Sequence, residues 1–336
     1  MDTYAKLIEE YRGGLLENTH YGYICVVDKD SNVIWSAGDV NQKVFYRSAS
    51  KPVQALPTIA MELDKKYGLT DRECAIFAGS HTAQDIHVEA LESIMRKAGI
   101  DEQDLIMNPT YPADVLSNEA RIRAGIPTRK VFHNCSGKHL SLMLLQRELT
   151  GSVKGYHEIE SPAQQTVLDT MAIASEVEKE EIGIGIDGCG VPVFAVPLKN
   201  IAVAFKNLAR PEKMPDEKLG AAAARFVPMI NANPIMLRGR GFLCGNINRD
   251  QNLIGKGGAM GVYGVALKEE GLGISLKIAD GTDYLWPFLL GGIFREIGYN
   301  KQETLDMLHE LNSGIIKNDN GVIVGEARNV FELKKA

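Results

Sequence analysis

The sequence lacks the marks of several common protein classes. It has no dense Lys/Arg cluster. Its 37 basic residues are outnumbered by 43 acidic ones, giving a formal net charge of −6, so nothing is present to neutralise a run of phosphates. It has no long hydrophobic run: the most apolar stretch, Trp286 to Phe294, falls well short of the roughly 20 residues a bilayer requires. The N-terminus carries acidic residues where a signal peptide needs a basic and then an apolar run. The sequence therefore predicts a cytoplasmic protein with no nucleic-acid or membrane partner. Cysteine is scarce. Five residues, an odd number, are scattered as Cys25, Cys74, Cys135, Cys189 and Cys244, which argues against a disulfide framework. Repeats, low-complexity tracts and long linkers are also missing. A content of 45% hydrophobic and 24% charged residues excludes disorder, and 336 residues suffice for a sizeable core.

What is present reads as β structure at both ends with helices between. Tyr23 to Val27 and Val33 to Trp35 are β-rich around a turn at 28–32, which predicts a hairpin over 21–37. Late in the chain, 252–254, 262–267 and 274–278 read as short strands. Helical spacing marks Ile86 to Met95 and His139 to Leu149. Ser161-Pro162-Ala163-Gln164 is a helix start with a capping serine and proline at the first position. Further helices are expected over 211–229, 286–297 and 302–312, with a last strand near 322–324. The order implies an α/β (α+β) fold in one catalytic domain, 1–336. An antiparallel sheet is expected from about 15–47 and 250–336, with a mainly helical region over about 48–250.

Two motifs are decoys. Gly183 to Gly188 fits G-x-G-x-x-G, but an extended, proline-broken segment follows where a dinucleotide site needs a helix. Gly255-Lys256-Gly257 lacks the earlier glycine and the following Ser/Thr of a phosphate loop. Four places carry possible chemistry. Ser48 and Lys51 form S-x-x-K before a helical pattern, so the amine can reach the hydroxyl. Arg47 and the helix start disfavour a charged lysine there. The spacing recurs by chance, and its ordinary meaning is a capping serine beside an exposed lysine. Lys256 opens a predicted strand, as the second lysine of K-T-G serine enzymes does, although Gly257 replaces the threonine. Cys135 and Cys189 lie in glycine-flanked turns near His133 and His139. They are donors for a soft or borderline metal, or simply two buried thiols. Gly79-Ser80-His81-Thr82 is a helix cap or a pocket wall, the cap being the commoner arrangement.

Taken in order, Tyr46 to Pro57, Gly79-Ser80-His81, His133 to His139, Asp187 to Pro192 and Gly255 to Gly258 resemble one family. It is the serine-dependent asparaginases of the Rhizobium etli type, and the resemblance runs from about residue 15 to the C-terminus. The segments at 133–139 and 187–192 are specific; S-x-x-K is not. The resemblance implies a serine β-lactamase-like fold, a homodimer, and hydrolysis of L-asparagine to L-aspartate and ammonia. It implies Ser48 as nucleophile with Lys51 as base, and Ser80 with Lys256 as a second Ser–Lys pair facing the first. It also implies Arg47, His139 and Asp187 lining the substrate pocket, with Asp187 taking the α-ammonium. Cys135, Lys138 and Cys189 would hold zinc. The chemistry is coherent, because two close lysines cannot both stay charged easily, and one becomes available as a base. The alternatives are a related serine amidohydrolase, such as a glutaminase or a β-lactamase-like esterase, and a non-catalytic amino-acid-binding protein.

Overall fold

A computed structural model describes residues 4–336. The larger sheet is antiparallel and uses both chain ends. Its strands are β1 (Ala5–Arg12), β2 (Leu15–Val27), β3 (Val33–Ala37), and, after a second small sheet, β7 (Leu253–Gly258), β8 (Val262–Leu267), β9 (Leu272–Ile278), β10 (Ile315–Lys317), β11 (Ile323–Asn329) and β12 (Lys334–Lys335). The order is β10-β11-β1-β2-β9-β8-β7, with β3 pairing β2 and β12. The long strand β2 explains the splice. One edge takes β1 along its first half and β3 along its second, while the other edge takes β9 in register Gly22↔Ile278 to Val27↔Gly273. The hairpin and the three late strands appear as the sequence predicts. Strand β1 was not foreseen, because Ala5 to Arg12 alternates too weakly in hydrophobicity to register as a strand.

The second sheet comprises β4 (Lys43–Phe45), β5 (Gly183–Ile186) and β6 (Pro192–Pro197) in the order β4-β6-β5. The G-x-G-x-x-G segment is the β5–β6 hairpin, and no helix follows its last glycine. Strands β5 and β6 lie inside the span expected to be mainly helical, and β4 falls in the span expected to join the larger sheet.

Numbering only helices of nine or more residues, α1 is Asp85–Ala98, α2 Val115–Arg123, α3 Ser136–Thr150, α4 Pro162–Ser175, α5 Leu198–Ala209, α6 Glu217–Ala232, α7 Trp286–Glu296 and α8 Gln302–Leu311. The predicted cap on α4 forms, with the Ser161 hydroxyl accepting the Gln164 N–H at 3.3 Å. The helix foreseen from 211 starts later, since Pro211–Lys213 is a separate 3-10 turn and Asp216 caps α6. Helix α5 lies across the larger sheet. Its Phe205 ring occupies the space above Gly264, where a Cβ would fall 2.0 Å from the ring. Any side chain at 264 would lift the helix off the sheet and expose apolar surface, at about 25 cal/mol per Å². No helix among the described residues is long and apolar enough to cross a membrane.

Candidate active site

Strand β4 delivers the chain into a 3-10 turn, Arg47–Ser50, followed by short helices Lys51–Gln54 and Leu56–Ala60. Pro57 sits in the first turn of the second helix, so the pattern after Ser48 is broken where proline predicts. Tyr46 anchors the turn. It is fully buried, its N–H donates to Phe194 O, and its hydroxyl pairs with Ser175 Oγ at 2.8 Å. Arg47 follows with φ +48°, a left-handed conformation that costs a side-chain-bearing residue on the order of 1 kcal/mol. Such strain persists where neighbours over-determine it, and here β7 does so. A Cβ on Gly258 would lie 2.5 Å from Tyr46 O and 2.9 Å from Ala49 N. Side chains alternate along a strand, so Lys256, two residues earlier, emerges on the same face.

Ser80 is the centre of the arrangement. Its hydroxyl oxygen accepts from Lys51 Nζ at 3.0 Å and from Lys256 Nζ at 3.1 Å. Each lysine also has a carbonyl anchor, Gly79 O at 2.6 Å for Lys51 and Gly257 O at 2.5 Å for Lys256. Both amines are buried. Burial pushes Lys256 down to about 7, and the charges of Lys51 and Arg238 push the same way. Burial also lowers Lys51, with Lys138 adding to the effect. The Ser80 loop is therefore not the helix cap that such a cluster more commonly forms; Gln84 is the N-cap of α1. Ser80 meets Lys256 as expected and Lys51 as well, whereas Lys51 Nζ makes no hydrogen bond to Ser48 Oγ among the described residues. The Ser48 hydroxyl makes no hydrogen bond to any described residue and is half-buried, while the Lys51 N–H donates to Ser48 O.

His81 ties this loop to the start of α3. Its Nδ1 accepts the Ala83 N–H at 3.2 Å, so Nε2 carries the proton that meets Ser136 Oγ at 2.7 Å. Burial holds the ring neutral. The same helix start presents Cys135, Lys138 and His139. His139 Nδ1 pairs with Tyr156 OH at 2.8 Å, while its buried Nε2 has no partner among the described residues. Sequence reasoning missed Tyr156, a lone aromatic in a loop with no spacing signal. Asp187, on the β5–β6 hairpin, accepts from Arg47 Nε at 3.0 Å and Nη2 at 2.9 Å through Oδ1. Asp187 thus arrives already paired with a cation, which the sequence did not reveal.

Cys135 and Cys189, 54 residues apart in sequence, are brought together. A hydrogen bond from Cys189 holds the Cys135 thiol well below its usual range and raises the Cys189 thiol, so the pair shares one proton. Lys138 Nζ donates to Cys189 Sγ at 3.2 Å. Burial opposes its charge most strongly, but Cys135, Cys189 and Asp187 together outweigh it and raise Lys138 above its ordinary value. Among the described residues, no three His, Cys, Asp or Glu side chains cluster to hold a metal. Two sulfurs and an amine are nonetheless a donor set suited to zinc, with positions left open.

The family model of L-asparaginase II matches residues 8–329. The chain belongs to the L-asparaginase II family. A search of curated proteins found no match. Among solved structures, the chain is 15% identical to one described as Mglu, with 87% of this chain and 66% of that one covered at a TM-score of 0.42. A Bacillus glutaminase gives 15% identity, 83% and 92% coverage and a TM-score of 0.38. A protein provisionally described as a beta-lactamase from Bacteroides dorei gives 15%, 82% and 92%, and 0.45. The chain spans 66%, 65% and 61% of the first three structures it matches. The L-asparaginase II chain has a mixed α/β fold, and its larger sheet is antiparallel throughout.

Proposed function

We propose that the protein hydrolyses L-asparagine to L-aspartate and ammonia through a Ser48 acyl-enzyme, as in the Rhizobium etli type of asparaginase. One observation carries the reading: two buried lysines, one of them three residues on from Ser48, converge on the Ser80 hydroxyl. Attack on an amide needs a nucleophile stripped of its proton and a proton for the leaving nitrogen. In this reading Lys51, made less basic by burial, takes the Ser48 proton as Oγ bonds to the side-chain carbonyl carbon. Ser80, backed by Lys256, hands a proton to the nitrogen as the C–N bond breaks. Water then cleaves the ester and frees aspartate.

Asp187 would receive the α-ammonium through its free oxygen, and Arg47 the α-carboxylate. His139 Nε2 would find its missing partner on the substrate. Zinc would be held by Cys135, Lys138 and Cys189, once Lys138 and the shared thiol proton are lost. When bound, it would supply a fixed positive charge close to Lys51. A homodimer is the expected assembly.

The test is ammonia release from asparagine and glutamine, with penicillin hydrolysis run beside it. Asparagine turnover that disappears in Ser48→Ala supports the reading. Turnover of glutamine alone makes the protein a glutaminase, and turnover of penicillin alone makes it a β-lactamase. Inertness toward all three leaves the binding-protein alternative.

A further inference from the structure

The Ser80 loop leans on a second segment of chain. The Ser80 N–H donates to Leu237 O at 2.7 Å. A Cβ on Gly79 would fall 2.6 Å from Met236 O, and one on Gly239 would fall 2.8 Å from Thr82 Oγ1. Residues 236–239 therefore run beside 79–82, and Arg238 is close enough to Lys256 for its charge to act on that amine. Beyond Arg238 lies a cavity of about 230 Å³, walled by Phe242, Cys244, Tyr284, Trp286 and Leu311. It reaches the strand residue after Lys256. Cys244 Sγ accepts the Gly257 N–H at 3.2 Å, and the Trp286 ring fills the space where a Gly257 side chain would stand.

The lining is apolar, and its polar groups are under-used. Arg238 Nε is buried without a partner among the described residues, while its Nη2 makes only a loose ion pair with Asp283 Oδ2, at 3.8 Å, and its guanidinium lies over the Phe242 ring. Trp286 is only 3% exposed, yet its indole N–H has no acceptor among the described residues. Ammonia as a leaving group needs none of this. Ser80 delivers its proton to the leaving nitrogen, so a substituent on that nitrogen would extend past Ser80 toward Arg238.

We propose that this cavity is a subsite for the amine half of a secondary amide, and that the enzyme also cleaves β-aspartyl dipeptides whose second residue is apolar, such as β-aspartyl-phenylalanine. The proposal rests on the acyl-enzyme reading above. The apolar side chain packs against Phe242, Trp286 and Leu311, and the dipeptide's terminal carboxylate meets Arg238. The chemistry balances as before. Ser48 Oγ bonds to the β-carbonyl carbon, and the C–N bond breaks. The proton taken from Ser48 is replaced on the amine through Ser80, so phenylalanine leaves. Water then hydrolyses the ester to aspartate.

The experiment measures kcat/KM for asparagine and for β-aspartyl-phenylalanine with the whole protein and two cavity variants, Leu311→Trp and Phe242→Ala. Filling or emptying the pocket should lower dipeptide cleavage about tenfold or more, the scale expected for a lost apolar contact, and leave asparagine within about twofold. Asparagine turnover without dipeptide cleavage overturns the subsite alone, as does an equal loss on both substrates in both variants. Dipeptide cleavage without asparagine turnover upholds the subsite and retires asparagine as the substrate. No turnover of either brings down both readings.

Discussion

Lys51 and Lys256 meet at one atom. Their amines lie 3.0 and 3.1 Å from the Ser80 hydroxyl oxygen, although the two residues are far apart in sequence. A hydroxyl oxygen accepts two hydrogen bonds and donates one. With both lysines donating, the Ser80 proton is left for a third group, and the site stands ready to pass a proton onward. The cost is two amines held together in a buried place. Loss of one proton relieves that cost, and both lysines are displaced in that direction.

The two serines should separate in a thermal-unfolding experiment paired with an activity assay. The Ser48 side chain makes no hydrogen bond among the described residues, so Ser48→Ala should abolish turnover by several orders of magnitude while leaving Tm within about 2 °C. Ser80→Ala removes an acceptor from two buried amines at once, a loss of roughly 1–3 kcal/mol. Its Tm should fall by several degrees together with the activity. Activity within about tenfold of wild type in Ser48→Ala would remove Ser48 as the nucleophile.

Much of this was legible in the sequence, and the illegible part has a physical cause. Both chain ends alternate strongly enough to mark a shared sheet, and specific segments mark Cys135 and Asp187. Spacing reports what one element can align, so Ser48 and Lys51 could be paired. The sharing of Ser80 depends instead on how β7 and the loop after Ala78 meet in space, which no local pattern encodes. The Arg47–Asp187 pair is of the same kind, since it joins β4 to the β5–β6 hairpin across 140 residues. Strand β1 escaped because its pairing with β2 and β11, and not its own composition, makes it a strand.

The left-handed Arg47 gives a prediction about stability. Arg47→Ala keeps the strained backbone, whereas Arg47→Gly relieves it, so glycine should be the more stable by about 1 kcal/mol in denaturant unfolding. Both variants should raise KM for asparagine, because each strips Asp187 of its partner. Equal stability of the two variants would mean that the turn relaxes when the side chain is lost.

Metal content is checked by elemental analysis of the purified protein. About one zinc per chain is expected, falling sharply in Cys135→Ala and in Cys189→Ala. Binding should weaken as pH falls, because the shared thiol proton and the Lys138 proton must both leave. Lys138→Met should bind zinc less tightly but with a shallower pH dependence, having one proton fewer to release. Zinc content unchanged by both cysteine variants would return Cys135 and Cys189 to the status of buried thiols.

The pH profile follows from the two lysines. An ordinary lysine amine titrates at 10.5, and burial first, then Lys51 and Arg238, bring Lys256 to about 7. A protonated amine cannot accept a proton from a serine, and burial lowers Lys51, the base of this mechanism, below its ordinary value as well. kcat/KM for asparagine should therefore climb as pH rises through 7 and level off on the alkaline side, around 8–9 as an order-of-magnitude expectation. Lys256→Met tests the coupling. It deletes a positive neighbour of Lys51, so Lys51 should regain some basicity, and the acidic limb should move to higher pH. The rate should also fall across the whole range, since the support for Ser80 is gone. A limb that stays near pH 7 in this variant would show that the lysines titrate independently, and proton transfer through a shared Ser80 would then be the wrong mechanism.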